Sequence, residues 1–137
     1  MIRTILFDLD GTLVHFEFDD FLKAYLGAIS SKMGQLVDPR AFVAQLLAST
    51  EEMVKSLDPA KTNRDVFTDH FFPRLGRTAD ELMPTIDAFY DEDFPRLREI
   101  LGVEPHPLAR PMLEGLIDRG YEVVIATNPV FPANAIE

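Results

Sequence analysis

Two aspartates, Asp8 and Asp10, come directly after the apolar run Ile2–Phe7 and lead into Gly11-Thr12. The run is short, continuous and β-rich, which suits a strand buried on both faces of a parallel α/β sheet. In such sheets ligands bind beyond the carboxyl ends of the strands. Strand geometry sends Asp8 and Leu9 in opposite directions, and Gly11 permits a sharp change of direction just after Asp10. Asp8 can thus point into a site while the turn sets Asp10 beside it. Two carboxylates in one site need a shared proton or a cation. A Mg²⁺ ion meets that need, because it neutralises the pair and attracts phosphate oxygens. One carboxylate can then attack phosphorus to form an aspartyl-phosphate. The other can protonate the leaving oxygen and later take a proton from water. The plainer alternative is that both aspartates end a strand and cap a turn, where Asp and Gly are common.

A second constellation lies at Val123-Val124-Ile125-Ala126-Thr127-Asn128. A hydroxyl at the end of a buried strand can donate to a phosphoryl oxygen, aided by nearby backbone N–H groups. By itself, Thr-Asn after a strand reads equally well as an ordinary turn. Pro129 stands where a small or polar residue is more usual in such a loop.

Helical patterns fill the stretch between the two. Phe18, Phe21, Leu22, Tyr25, Leu26, Ile29 and Met33 recur at helical spacing, with Gly34 as the stop. Asp38-Pro39 reads as an N-cap and first turn, ahead of a buried row of Phe42, Val43, Leu46, Leu47, Val54 and Leu57, with a break near Ser49-Thr50. Thr62-Asn63-Arg64-Asp65 and Thr78-Ala79-Asp80-Glu81 each carry a helix start signal, for helices ending near Phe72 and Tyr90. A short helix is expected over Phe94–Leu101, and Asp91-Glu92-Asp93 reads as its solvated start. Gly102 to Pro107 is a breaker-rich linker. Arg110-Pro111 then opens a helix through Arg119, closed by Gly120, and a strand is expected over Tyr121–Ala126. The organisation is α/β with a helical insert: residues 1–15 and 106–137 form a partial α/β core, and residues 16–105 the helical piece.

Phe7-Asp8-Leu9-Asp10-Gly11-Thr12-Leu13 resembles the first signature of the haloacid dehalogenase (HAD) superfamily, and the strand ending in Thr127-Asn128 resembles its second. The resemblance implies a Rossmann-like parallel sheet core with an inserted helical cap. It implies Asp8 as nucleophile and Asp10 as general acid/base, with the Asp8 side chain and the Asp10 carbonyl binding Mg²⁺. Thr127 would hold the transferring phosphoryl group with Asn128 near the substrate, and Gly11 and Thr12 complete the phosphate-binding set. An acid at the Asp10 position marks the phosphatase and phosphomutase branches, since halide leaves without a proton. Two further family motifs, a Lys or Arg and an acidic group completing the metal site, lie beyond the chain. It ends at Glu137, ten residues after Thr127, so a fragment is expected.

Composition narrows the partners. Formal net charge is −10, from 13 basic and 23 acidic residues, which argues against a nucleic-acid partner. The 47% hydrophobic content supports a packed core. With no cysteine, disulfides and thiolate metal sites are excluded. Asp8 and Asp10 interrupt the N-terminal apolar stretch, so it reads as neither membrane span nor signal peptide. A soluble cytoplasmic protein is expected, acting on a small phosphorylated metabolite. The open strands of so small a sheet favour self-association or pairing with the missing C-terminal part. His15, His70 and His106 are scattered, and a solvated or capping role is expected for each, with His15 nearest the first motif. Phe16, Phe18 and Phe21 are the best candidates for lining the site. The competing readings are a non-catalytic binding module of the same fold and a phosphomutase. The intact pair Asp8 and Asp10 favours chemistry over mere binding.

Overall fold

The computed structural model describes residues 2–127 and 130–132. Its elements run β1 (Thr4–Phe7), β2 (Val14–His15), α1 (Phe18–Met33), α2 (Pro39–Lys55), α3 (Asn63–Leu75) and α4 (Ala79–Ala88). A π-helical turn (Phe89–Asp93) comes next, then α5 (Phe94–Leu101), β3 (Glu104–Pro105), α6 (Ala109–Asp118) and β4 (Glu122–Ile125). The chain divides into two compact units, residues 2–21 with 98–127 and residues 22–97 with 130–132.

The first unit is built on β1 and β4, which pair in parallel from Thr4 opposite Glu122 to Phe7 opposite Ile125. The Thr4 hydroxyl donates to the Glu122 carboxylate at 2.7 Å. Helix α6 packs against β4. Gly120 closes that helix at φ 80°, its N–H donating to the Ile117 carbonyl at 2.8 Å. Only a residue free of a Cβ penalty turns there cheaply, which lets β4 begin two residues later.

The expectation that Ile2–Phe7 is buried on both faces is corrected. Leu6 is 64% exposed and its register partner Val124 37%, so one face of the pair is open among the described residues. A strand is buried on both faces only between two covering layers, and α6 supplies one. The breaker-rich segment after Gly102 is also more than a linker. Glu104 and Pro105 form a two-residue antiparallel ladder with Val14 and His15.

The second unit is helical. Asp38 caps α2 through its carboxylate, which accepts from the Ala41 N–H at 2.9 Å, with Pro39 in the first turn. Phe42, Leu46, Ser49 and Met53 form its buried row, at helical spacing. Leu47, Val54 and Leu57 lie off that row and are exposed, contrary to expectation. The expected break near Ser49-Thr50 is absent, because both hydroxyls find partners with the helix intact. Thr50 Oγ1 donates to the Leu46 carbonyl at 2.9 Å, and Ser49 Oγ lies 2.9 Å from His70 Nδ1. Helix α3 packs on α2 around Phe42 and Phe71, whose rings meet edge to face at 5.5 Å. Thr62 and Asp65 form the reciprocal cap of α3, and the Thr78 N–H donates to Glu81 at 2.8 Å to start α4.

Two further expectations change here. Asp91-Glu92-Asp93 belongs to a π-helical turn rather than to the first turn of α5, with Asp91 and Glu92 exposed as expected, and Lys32 reaches Glu92 at 3.0 Å and Asp93 at 2.6 Å. His70 is half-buried rather than fully solvated: it shares a polar cluster with Ser49 and with Gln45, whose Nε2 lies 3.2 Å from His70 Nδ1.

Candidate active site

The site is assembled at the carboxyl end of β1 and β4. Phe7 and Ile125 are the last register partners, and the Ala126 N–H extends the pairing by donating to the Phe7 carbonyl at 2.7 Å. Asp8 therefore leaves β1, and Thr127 leaves β4, at the same end of the sheet. That end is where open α/β sheets place their ligands.

Beyond Asp8 the chain winds a tight loop around one acceptor. The Leu9 carbonyl receives the N–H groups of Thr12 (3.2 Å), Leu13 (2.9 Å) and Val14 (3.1 Å), and the Gly11 N–H donates to the Val14 carbonyl at 2.9 Å. Gly11 sits at φ 72° with open space where a Cβ would stand, so backbone conformation alone demands glycine. Leu13 is the buried foot of the loop, 5% exposed, and its carbonyl accepts from the His106 N–H at 2.8 Å. The segment before α6 thereby pins the loop that carries Asp10 and Thr12.

Electrostatics tie the two aspartates together. Asp10 has its carboxyl raised above the ordinary carboxylate value, first by desolvation and second by the negative charge of Asp8. The residue as a whole is solvent-exposed, yet its carboxylate is set far enough into the loop for desolvation to be the larger cause. Asp8 is also exposed, and one of its oxygens accepts the Leu9 N–H at 2.9 Å. The arrangement can present one carboxylate as a charged nucleophile and hold a proton on the other.

The other residues expected at the site divide between the loop, the end of β4 and places apart from both. Gly11 and Thr12 form the loop, and Thr127 is half-buried just past β4. Asn128 lies outside the described residues. Phe16 and Phe21 meet edge to face at 5.4 Å, while Phe18 is 61% exposed. His15 is exposed on β2. His106 accepts the Leu108 N–H on its Nδ1 at 3.2 Å, a local turn role. The backbone bond from His106 to Leu13 was not foreseen from the sequence. It depends on pairing between segments far apart in the chain, for which no local signal exists.

Hard oxygen ligands are the donors a divalent cation of the Mg²⁺ type selects, and two mutually repelling carboxylates are an environment that a cation relieves. The mutual repulsion of Asp8 and Asp10 fits that requirement. Among the described residues no three His, Cys, Asp or Glu side chains gather into a metal-binding group. No described helix is long and apolar enough to cross a membrane.

A search of curated proteins finds no match to the chain. The family model described as haloacid dehalogenase-like hydrolase matches residues 2–135, nearly the whole length. With a parallel β1–β4 pair that leads into Asp8 and Thr127, and helices between the two strands in sequence, the chain belongs to the haloacid dehalogenase-like hydrolases.

Proposed function

We propose that the protein is a Mg²⁺-dependent phosphatase acting on a small phosphate monoester through an aspartyl-phosphate on Asp8. The observation that carries this reading is the electrostatic coupling of Asp8 and Asp10 at the end of β1. The raised carboxyl of Asp10 is suited to keep a proton for a leaving group, while Asp8 remains the nucleophile.

In the first half-reaction an Asp8 oxygen attacks phosphorus and the bond from phosphorus to the ester oxygen breaks. Asp10 gives its proton to that departing oxygen. In the second half-reaction water attacks the phosphorus of the aspartyl-phosphate, and Asp10 takes the proton of that water. The Asp8 carboxylate is released, together with inorganic phosphate. The Thr127 hydroxyl steadies a phosphoryl oxygen, while the N–H groups of Gly11 and Thr12 are engaged by the Val14 and Leu9 carbonyls and hold the loop in shape. The Asp8 side chain and the Asp10 carbonyl would hold the cation, which when bound offsets the negative charge of the phosphoryl group.

Hydrolysis of p-nitrophenyl phosphate with and without Mg²⁺ tests the reading, with Asp8→Asn as the control. Turnover that needs both the metal and Asp8 supports it. Metal-independent turnover, or turnover unchanged in Asp8→Asn, rules it out.

A further inference from the structure

Pro105-His106-Pro107 leads into α6 and belongs, with the Asp10 loop, to the first compact unit. His106 makes three bonds there. Its N–H donates to the Leu13 carbonyl at 2.8 Å, its carbonyl accepts the Ala109 N–H at 2.8 Å, and its ring Nδ1 accepts the Leu108 N–H at 3.2 Å. Leu108 and Ala109 stand at the start of α6, where N–H groups have no partner within the helix. The prolines on either side stiffen the arrangement. Pro105 is held in the ladder opposite Val14, and Pro107 disfavours helical backbone at His106. Leu13, which His106 holds, is buried, and its own N–H donates to the Leu9 carbonyl around which the loop winds. Asp10, Gly11 and Thr12 are all exposed, so burial does not fix them and the loop depends on its anchored foot.

We infer that His106 is a positioning residue for Asp10: it fastens the loop that carries Asp10 to the first turn of α6. This rests on the proposed role of Asp10 as proton donor. A proton donor must lie within hydrogen-bond reach of the departing oxygen, and a displacement of about 1 Å can cost about 10²-fold in rate. Helix α6 is a firm support, because it packs on β4. The ring is the specific part of the device. Its acceptor is attached to Cγ and meets an N–H only two residues on. An Asn side chain offers an oxygen at the same place, and the longer Gln does not.

Amide hydrogen exchange and kinetics together test the inference. The Leu13 and Val14 N–H groups, both bonded to the Leu9 carbonyl, report the loop. The Glu122 N–H, bonded to the Arg3 carbonyl at 2.9 Å, controls for general loosening. His106→Ala is expected to speed exchange at Leu13 and Val14 about fivefold while Glu122 changes little. His106→Asn should restore protection, and His106→Gln should not. In turnover, His106→Ala should lower kcat for an alkyl phosphate ester about tenfold with KM unchanged. The loss should be smaller for p-nitrophenyl phosphate, whose leaving oxygen needs no proton, whereas a merely structural role would lower both alike. Loop exchange that is unchanged, or raised only in step with Glu122, overturns the inference, and so do equal losses for the two esters. Faster loop exchange in a chain whose turnover does not need Asp8 would uphold the fastening of the loop and overturn the phosphatase reading instead.

Discussion

Asp10 carries a carboxyl held above its ordinary value first by desolvation and then by the charge of Asp8, two residues before it in the chain. The two acids are thereby made unequal. One is biased toward keeping a proton, as acid–base catalysis requires of a proton donor.

Division of labour between the two acids predicts how their variants differ. Asp10→Asn keeps the shape but has no proton to give, so turnover of an alkyl phosphate ester, whose leaving oxygen needs a proton, should fall about 10²- to 10⁴-fold. The loss should be smaller for a substrate whose leaving group needs no proton. Thr127→Ala should raise KM and lower kcat together, because it removes a donor to the phosphoryl oxygens. Steady-state kinetics on esters of graded leaving-group pKa checks both. An equal loss for Asp10→Asn across the series would contradict the acid role.

The buried hydroxyl pair Tyr25 and Tyr90 predicts a weakness toward alkali. Burial pushes the Tyr90 phenol up to about 12, and burial together with its partner pushes Tyr25 higher still. Both folded values lie above the ordinary value of 10.0. The stabilisation is therefore fully present below pH 10, where both states hold their protons. It declines as pH rises and the unfolded tyrosines ionise while the folded ones do not. The urea midpoint should fall from pH 10 to pH 12, and the slope should flatten in the Tyr25→Phe, Tyr90→Phe double variant. An unchanged slope in that variant would show that the pair is not responsible.

Ser49 predicts a contrast with its neighbour Thr50. Ser49 is fully buried, and its hydroxyl meets both Gln45 Nε2 and His70 Nδ1 at 2.9 Å. Ser49→Ala leaves those two groups with one partner fewer and should cost about 1–3 kcal/mol. Thr50 only bonds back to the Leu46 carbonyl within its own helix, so Thr50→Ala should change stability by less than about 0.5 kcal/mol. Denaturant unfolding of the two variants separates them, and equal costs would contradict the role given to the Ser49 cluster.

How far the fold was legible in the sequence depends on the range of the forces involved. The caps at Asp38, Thr62 and Thr78 act within three residues, and each helix starts where they say. Asp8 and Asp10 were legible because an apolar strand running into acid-x-acid-Gly is itself a local pattern. The Ser49–His70 bond joins residues 21 apart and exists only because α2 packs on α3. A polar residue on an otherwise apolar row gives no hint of its partner. The exposure of Leu6 and Val124 was misjudged because composition reports what a strand tolerates, not how many layers cover it. The loop around the Leu9 carbonyl needed Gly11 in the left-handed region, and only the glycine itself was readable.

The central claim is that Asp8 receives the phosphoryl group, and beryllium fluoride, a mimic of an acyl phosphate, tests it most directly. Fluorine NMR with Mg²⁺ present should show a bound species on the wild-type chain. It should vanish in Asp8→Asn and after chelation of the metal, and persist in Asp10→Asn, where the nucleophile is intact. Bound fluoride that survives Asp8→Asn unchanged would place the acceptor elsewhere and contradict the account.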